Sequence, residues 1–467
     1  MSEQVDSVIN DFEMNDRITV LLGAGAMVDA TGVSTKFLTE KVIESCWNFE
    51  IFQEICEILA KMKTTDQVAD FSENLEAQFI ICNPLHGRLL TYFNCYTKMF
   101  SNKNEDEDIK KISRELANFM NFEEIFHVIE ILASYFESPN RNKHNYIGKV
   151  FPVPYEMLNI ENPEKELIKV GFKFIDTINN EIYKYDRETN DDNDKWIQFK
   201  KFFNDIQSNG KFILDIFNLN YDTWIEESLG ICNYNDGYVD DNSFNDRKVF
   251  DVEECLKLDK RHTVSHLHGQ IYFAPQHRRM RSDGKVIPPY NLWGDRTLYK
   301  YNEKNNIKTG KRGIEGTTQA GYSILETNII TGLMKPDKLL LSPFDIYYHR
   351  FANSLMTNPN LLVIGYGGSD LHINSLLNNY CRRHNRHRKI VVVNFITDAE
   401  MQDIIEQNVT QSNDVILLTS ILFGEDAWWG NEPKHDYESK DKTSHFYRGK
   451  FKDIMSEKTS EIIKHFT

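Results

Sequence analysis

Ile18-Thr-Val-Leu-Leu-Gly-Ala-Gly25 is the stretch on which the reading of the fold turns. A short, almost wholly apolar run feeds a Gly-x-Gly turn, and a helical pattern follows from about Thr35 to Cys46. A strand that is apolar on both sides suits a parallel sheet covered on both faces, whereas a half-solvated strand would alternate. The scheme recurs twice. Leu361-Leu-Val-Ile364 enters Gly365-Tyr-Gly-Gly368 and a helical pattern from about Asp370 to Arg383. Lys389-Ile-Val-Val-Val-Asn394 precedes a helix-like segment with Asp398 as its N-cap. Three strands each followed by a helix predict an α/β fold, a Rossmann-like parallel sheet with helices on both faces.

Between these ends the texture changes. Residues 50–205 carry helical periodicity, clearest in Phe122, Ile125, Phe126, Ile129, Leu132 and Ala133. Polar breaks fall at 101–108 and 189–195, and the next strand is expected at Phe212–Phe217. The stretch 274–334, with Pro288-Pro289 and many charges, reads as an excursion of loops and short helices. After Asn394 there remain a strand candidate, Val415–Leu418, and a polar end, too little for a second α/β domain. The expected organisation is a single catalytic domain over 1–467. It is built from 15–50 and 205–425, with a helical insertion at about 51–204 and the loop-rich excursion at about 274–334.

Charge narrows the classes of partner. Lys and Arg number 54 and Asp and Glu 70, so 54 − 70 gives −16, a balance that repels phosphate backbones and argues against direct nucleic-acid binding. The basic runs His277–Arg281 and Arg382–Lys389 read as solvated loop or helix ends, with a phosphate contact or an acidic docking partner as the functional alternative. No apolar run is long enough to cross a membrane, and the first residues lack a basic start followed by an apolar stretch. Seven cysteines (Cys46, Cys56, Cys82, Cys95, Cys232, Cys255 and Cys381) are scattered without any C-x-x-C pair. That pattern fits reduced thiols in a cytoplasmic protein and not a four-cysteine zinc module.

Four segments carry chemistry. Gly23-Ala24-Gly25 ends a strand where backbone can approach a pyrophosphate, although position 28 is Val rather than a third Gly, and a tight strand–helix turn explains it equally. Asn218-Leu-Asn220-Tyr-Asp222 follows a strand, where ligands of open parallel sheets bind; an Asx-turn with a helix cap over Thr223–Leu229 is the plainer reading. His266-Leu-His268-Gly269 places two imidazoles on one side of an extended segment. No third ligand accompanies them at helical or strand spacing, so no metal is expected, and a His followed by Gly suggests proton transfer near neutral pH. Gly365, Gly367, Gly368 and Ser369 suit a phosphate or ribose, and Asp370 suits either that site or a simple N-cap.

In this order, Gly-Ala-Gly, Asn-x-Asp after a strand, His-Gly, Gly-x-Gly with Ser and Asp, and a strand ending in Asn, the chain resembles the SIR2 (sirtuin-like) family. The resemblance covers about 18–46, 211–230, 262–273 and 338–396. It implies that Gly23, Ala24 and Gly25 hold the pyrophosphate of NAD and that Asn220 lies beside the nicotinamide ribose. Asp222 then organises that loop and His268 matches the catalytic His. Gly365, Gly367 and Ser369 follow the adenosine-diphosphate side, and Asn394 lies near the adenosine ribose. The chain departs from true sirtuins at Met27, where Ser is usual, in Ser34-Thr-Lys-Phe-Leu-Thr39 in place of a Phe-Arg pair, and in lacking the zinc-binding cysteines that brace an acyl-lysine channel.

With those departures the chain is similar to the bacterial SIR2-like branch that cleaves NAD in anti-phage defence. The resemblance implies an NAD glycohydrolase with NAD as substrate and no metal. Asn220 positions ribose and water, and His268 accepts the proton. An unrestrained NADase would kill its host, so the implied enzyme is gated, by self-assembly into a homo-oligomer or by a protein partner such as a HerA-like ATPase, a short Argonaute or a phage protein. The rival readings are a catalytically silent NAD- or ADP-ribose-binding signalling module and an NAD-dependent protein deacylase.

Overall fold

The computed structural model describes residues 17–62, 105–118, 120–137, 161–186, 193–210, 212–230, 234–241, 245–257, 260–275, 298–302, 316–317, 323–324, 327–331, 335, 339, 342–395, 418, 421–422, 436–439 and 441–467. They form two compact units. One takes the described parts of Met1–Gly32, Tyr185–Gln270 and Ser342–Thr467, the other those of Val33–Lys184 and Ile271–Leu341.

In chain order the described strands are β1 (Arg17–Leu22), β2 (Ile213–Asn218), β3 (Tyr234–Asn235), β4 (Tyr238–Asp240), β5 (Arg247–Phe250) and β6 (His262–His266). There follow β7 (Phe273–Pro275), β8 (Leu298–Tyr301), β9 (Gly316–Thr317) and β10 (Ser323–Ile324). The last are β11 (Asn360–Ile364), β12 (Lys389–Asn394), β13 (Asp436–Glu438) and β14 (Ser444–Arg448). The first unit is built on one eight-stranded sheet of order β13-β14-β12-β11-β1-β2-β6-β3. Seven strands run parallel; only β13 is antiparallel, at the edge beside β14.

The central strands are buried almost end to end. Every residue of β11 is buried, as is all of β1 after Arg17 and all of β12 after Lys389. Each buried Val, Leu or Ile side chain contributes about 1.5–3 kcal/mol, so the core lies where three apolar strands adjoin. Helices cover both faces. On β2, the Phe217 ring packs tilted, 4.7 Å from Phe351 of the helix Phe344–Thr357. Phe212, at the opposite parity, meets Phe466 of the helix Thr459–Phe466 at 6.3 Å. Phe199 and Phe202, on the helix Asp194–Gly210, pack edge-on against Phe451. Polar groups within the sheet are paired: Arg17 bridges to Asp215 at 2.7 Å, Thr263 donates to the same carboxylate, and Thr19 meets Ser354 at 2.8 Å.

The second unit holds the helices Thr35–Cys46, Glu50–Met62, Glu105–Leu116 and Phe122–Glu137, and the helix Pro163–Asp186 up to Lys184. The expected apolar stripe on Phe122–Glu137 is buried, and Phe126 packs 5.2 Å from Phe174. Polar contacts join these helices, Ser45 to Thr177 at 2.7 Å and the Phe122 N–H to Thr39 Oγ1 at 3.0 Å, and a buried amide pair links Asn179 to Asn328 outside them. Strands β7 and β8 pair antiparallel, as do β9 and β10.

Local differences from the sequence reading have simple causes. A short helix, Gly25–Thr31, follows the first glycine turn before the expected one begins at Thr35, and Gly32 at φ +74° separates the two. Within the expected break at 101–108, residues 105–108 open the helix Glu105–Leu116, since acidic residues suit a helix N-terminus. In the break at 189–195, Asn193 Oδ1 accepts the N–H groups of Lys195 and Trp196 and so caps the helix Asp194–Gly210. Arg382, Arg383, Arg386 and His387 are exposed at the end of the helix Leu371–His384 and in the turn after it, a solvated helix end. The run at 277–281, most of the excursion at 274–334, and Asp398 lie outside the described residues. Of Val415–Leu418 only Leu418 is described, and it is buried and helical rather than extended.

Strand β1 has β2 on one side and β11 on the other, so the chain changes direction across the sheet at β1 and β11. The two glycine turns leave these strands together. The Gly23 N–H donates to Ile364 O at 2.8 Å, the Gly25 N–H to Gly365 O at 2.9 Å, and the Gly365 N–H to Val393 O at 2.9 Å. A Cβ on Gly365, which sits at φ +63°, would lie 2.0 Å from Ala26 N, and one on Gly23 would lie 2.5 Å from Gly365 O. Gly365→Ala is therefore expected to cost about 2–3 kcal/mol or more in urea unfolding, through strain and overpacking. Gly367→Ala, whose Cβ would meet nothing within 4 Å, should stay within about 0.5 kcal/mol of the parent.

Candidate functional site

Ligands of open α/β sheets bind outside the carboxyl ends of the strands where the strand order reverses. Here that place is the ends of β1 and β11, with β2 and β6 alongside. Register sets Leu22 level with both Ile364 and Asn218, and Asn218 level with His266, so the four segments singled out by sequence end at one edge.

After β2 each polar residue has a distinct task. Asn218 Oδ1 accepts the Asn220 N–H at 2.9 Å, an Asx-turn. Asp222 Oδ1 accepts the Trp224 N–H at 3.2 Å and steadies the entry to the helix Trp224–Leu229. Asn220 does something the plain turn reading does not require. Its Nδ2 donates to Gly23 O at 3.1 Å and so ties the β2 turn to the first glycine turn. Leu219 reinforces the junction by donating to Leu22 O, and Leu267 by donating to Asn218 O.

The two histidines part company. Strand β6 ends at His266, so two-residue alternation lapses at that point and His268 turns elsewhere; the expectation of a shared side is corrected. His266 is buried, with Nδ1 3.2 Å from Asn220 O and Nε2 2.8 Å from Glu226 Oε1. Gln270 donates to the same Glu226 oxygen and lies 3.0 Å from His266 Nε2. Glu226 and Gln270 were not anticipated as site residues. Glu226 stands four residues after Asp222 and Gln270 two after His268, spacings that carry no recognisable signature.

His268 is buried, and Gly269 follows it at φ +91°, a left-handed turn that glycine adopts without strain. His268 Nε2 lies 3.9 Å from Asp370 Oδ2, and its ring centroid lies 6.0 Å from that of His372. One ligand atom from each of His268, Asp370 and His372 falls within 4.8 Å of the others, the one such trio among the described residues. His372 was not singled out by sequence, because Asp-x-His at a helix start matches no metal-ligand spacing.

The remaining candidates line the same edge. Ala24 and Ser369 are exposed, Gly367 borders open space, and Leu371 and Phe395 present 47% and 51% of their surface. The Gly23 and Gly25 amides, by contrast, are engaged by the Gly365 turn. Asn394 braces that turn: its Nδ2 donates to Tyr366 O at 2.9 Å and its Oδ1 accepts the Phe395 N–H. No family model matches the chain, and no curated protein matches it.

Asp222 titrates unusually. Burial, reinforced by the nearby Asp186 carboxylate, pushes its pKa up from 3.8 to about 7, and its Oδ2 is buried without a hydrogen-bond partner. A carboxyl whose folded pKa is raised binds its proton more tightly in the folded state. Its stabilising contribution is present below the unfolded value and lost as pH rises from about 4 to about 7. Asp222→Asn keeps the acceptor for Trp224 and removes that titration. The variant is expected to gain stability over the parent as pH rises from 5 to 8, approaching a few kcal/mol at about 1.4 kcal/mol per unit, in pH-dependent thermal melts.

Proposed function

We propose that the chain is a SIR2-like NAD+ glycohydrolase that cleaves the nicotinamide–ribose bond to give nicotinamide and ADP-ribose. The observation that carries the reading is the bond from Asn220 to the Gly23 turn. It holds an amide at the switch point of the sheet, beside the β6 turn that bears His268. A dinucleotide stretched along this edge would meet exposed Ala24 and Ser369 and the open side of Gly367.

The reaction passes through an oxocarbenium-like state, as in glycoside cleavage. The C–N bond electrons leave with nicotinamide, which departs neutral, so no strong acid is needed. Water oxygen bonds to the ribose carbon and gives up a proton, which His268 accepts. The Asn220 side chain, anchored through Nδ2, orients ribose and water. His266, Glu226 and Gln270 form the buried support beneath both turns, and Asp222 braces the loop.

In a cell such activity depletes NAD, and the reading extends to an abortive-infection effector gated by self-assembly or by a protein partner. No described helix is long and apolar enough to cross a membrane.

Incubation of the protein with NAD, alone and together with its genomic neighbour, should release nicotinamide. His268→Ala should lower the rate by about 10²–10⁴-fold, the usual worth of a positioned base, with the melting profile retained. Undiminished nicotinamide release by His268→Ala would overturn the assignment.

A further inference from the structure

The trio at the β6 turn has a property that the hydrolase reading does not use. The geometry points to a binding site for one divalent transition-metal ion of the zinc class, held by His268, Asp370 and His372. Two imidazoles and one carboxylate make a donor set suited to zinc, copper, nickel or iron, and three protein ligands leave a fourth position for water. Zinc bonds of about 2.0–2.2 Å set tetrahedral donor atoms about 3.3–3.5 Å apart. The 3.9 Å between His268 Nε2 and Asp370 Oδ2, with all three donors within 4.8 Å, would need to shorten by about half an ångström to an ångström or so to reach that spacing.

Two independent observations mark the place. Asp370 occupies the N-cap position of the helix Leu371–His384, yet its side chain makes no capping bond. The helix entry is served by the Tyr366 hydroxyl, which accepts the Asp370 N–H and lies 2.9 Å from Asn374 Oδ1. The carboxylate faces His268 instead. Tyr348 packs with its ring centroid 5.5 Å from that of His372, and its hydroxyl is buried without a hydrogen-bond partner. A buried hydroxyl left unmatched needs a partner, and a metal-bound water beside His372 supplies one.

The site lies beyond the proposed function, with one consequence that rests on it. Coordination occupies the His268 nitrogen that would receive the proton, so a bound ion switches NAD cleavage off and a chelator restores it.

The test uses the full-length chain, stripped with chelator and titrated with Co²⁺, followed by visible absorption and by calorimetry. One equivalent should bind with the intense visible bands of a low-coordinate nitrogen–oxygen site, and Zn²⁺ should displace it. His372→Ala and Asp370→Asn should each weaken binding by about 10-fold or more while circular dichroism stays unchanged. Absence of binding below millimolar Co²⁺, or binding undiminished in both variants, would overturn the site. Neither arm requires turnover. Metal binding at the trio with no NAD cleavage by the chelator-stripped protein would refute the hydrolase reading alone, and cleavage without metal binding would refute the metal site alone.

Discussion

The contact between two backbones at the middle of the sheet governs the candidate site. Gly23 and Gly25 lie against Gly365 so closely that a single added carbon on either side of the contact would collide with main chain. Because the two turns interlock, the ends of β1 and β11 are locked together, and the strand-order reversal becomes a fixed edge instead of a loose pair of loops. Glycine at these positions therefore serves packing first. The faces left to a ligand are those of Ala24, Gly367 and Ser369, the members of the two turns that look outward.

From that fixed edge the polar residues extend in sequence. Asn220 reaches from β2 to the Gly23 carbonyl, His266 reaches from β6 to the Asn220 carbonyl, and Glu226 with Gln270 engages the far nitrogen of His266. All are buried, so each bond acts in a low-dielectric interior where leaving a partner unmatched is costly. The result is a relay of hydrogen bonds that positions two turns, while the His268 ring is directed at Asp370 and His372. Asp222 stands on the inner side of this arrangement, buried beside Asp186, and its raised pKa reflects a structural station within the loop.

Much of the scaffold was legible along the chain. Continuous apolar runs located β1, β11 and β12 to within a residue, because a strand covered on both faces tolerates no polar alternation. Three-to-four spacing located the helix Phe122–Glu137 for the same reason in helical form. The short helix Gly25–Thr31 escaped because about two turns hold too few residues to display a period, and its N-cap, Ala24, carries no capping side chain. Acidic residues 105–108 read as a break, although at a helix start they stabilise.

The residue types gathered at the sheet edge, and the order in which they occur, were determined by the sequence alone: glycine turns after apolar strands, an amide after β2, an imidazole after β6, an acid before the helix Leu371–His384. Which of them touch was decided only by the tertiary structure. Asn220 and Gly23 lie 197 residues apart, and His268 and Asp370 about a hundred, so no local spacing encodes their contact. Strand order and register bring them together, and those depend on how the whole sheet closes its core. For that reason Glu226, Gln270 and His372 carried no signal until the fold set them beside residues that did.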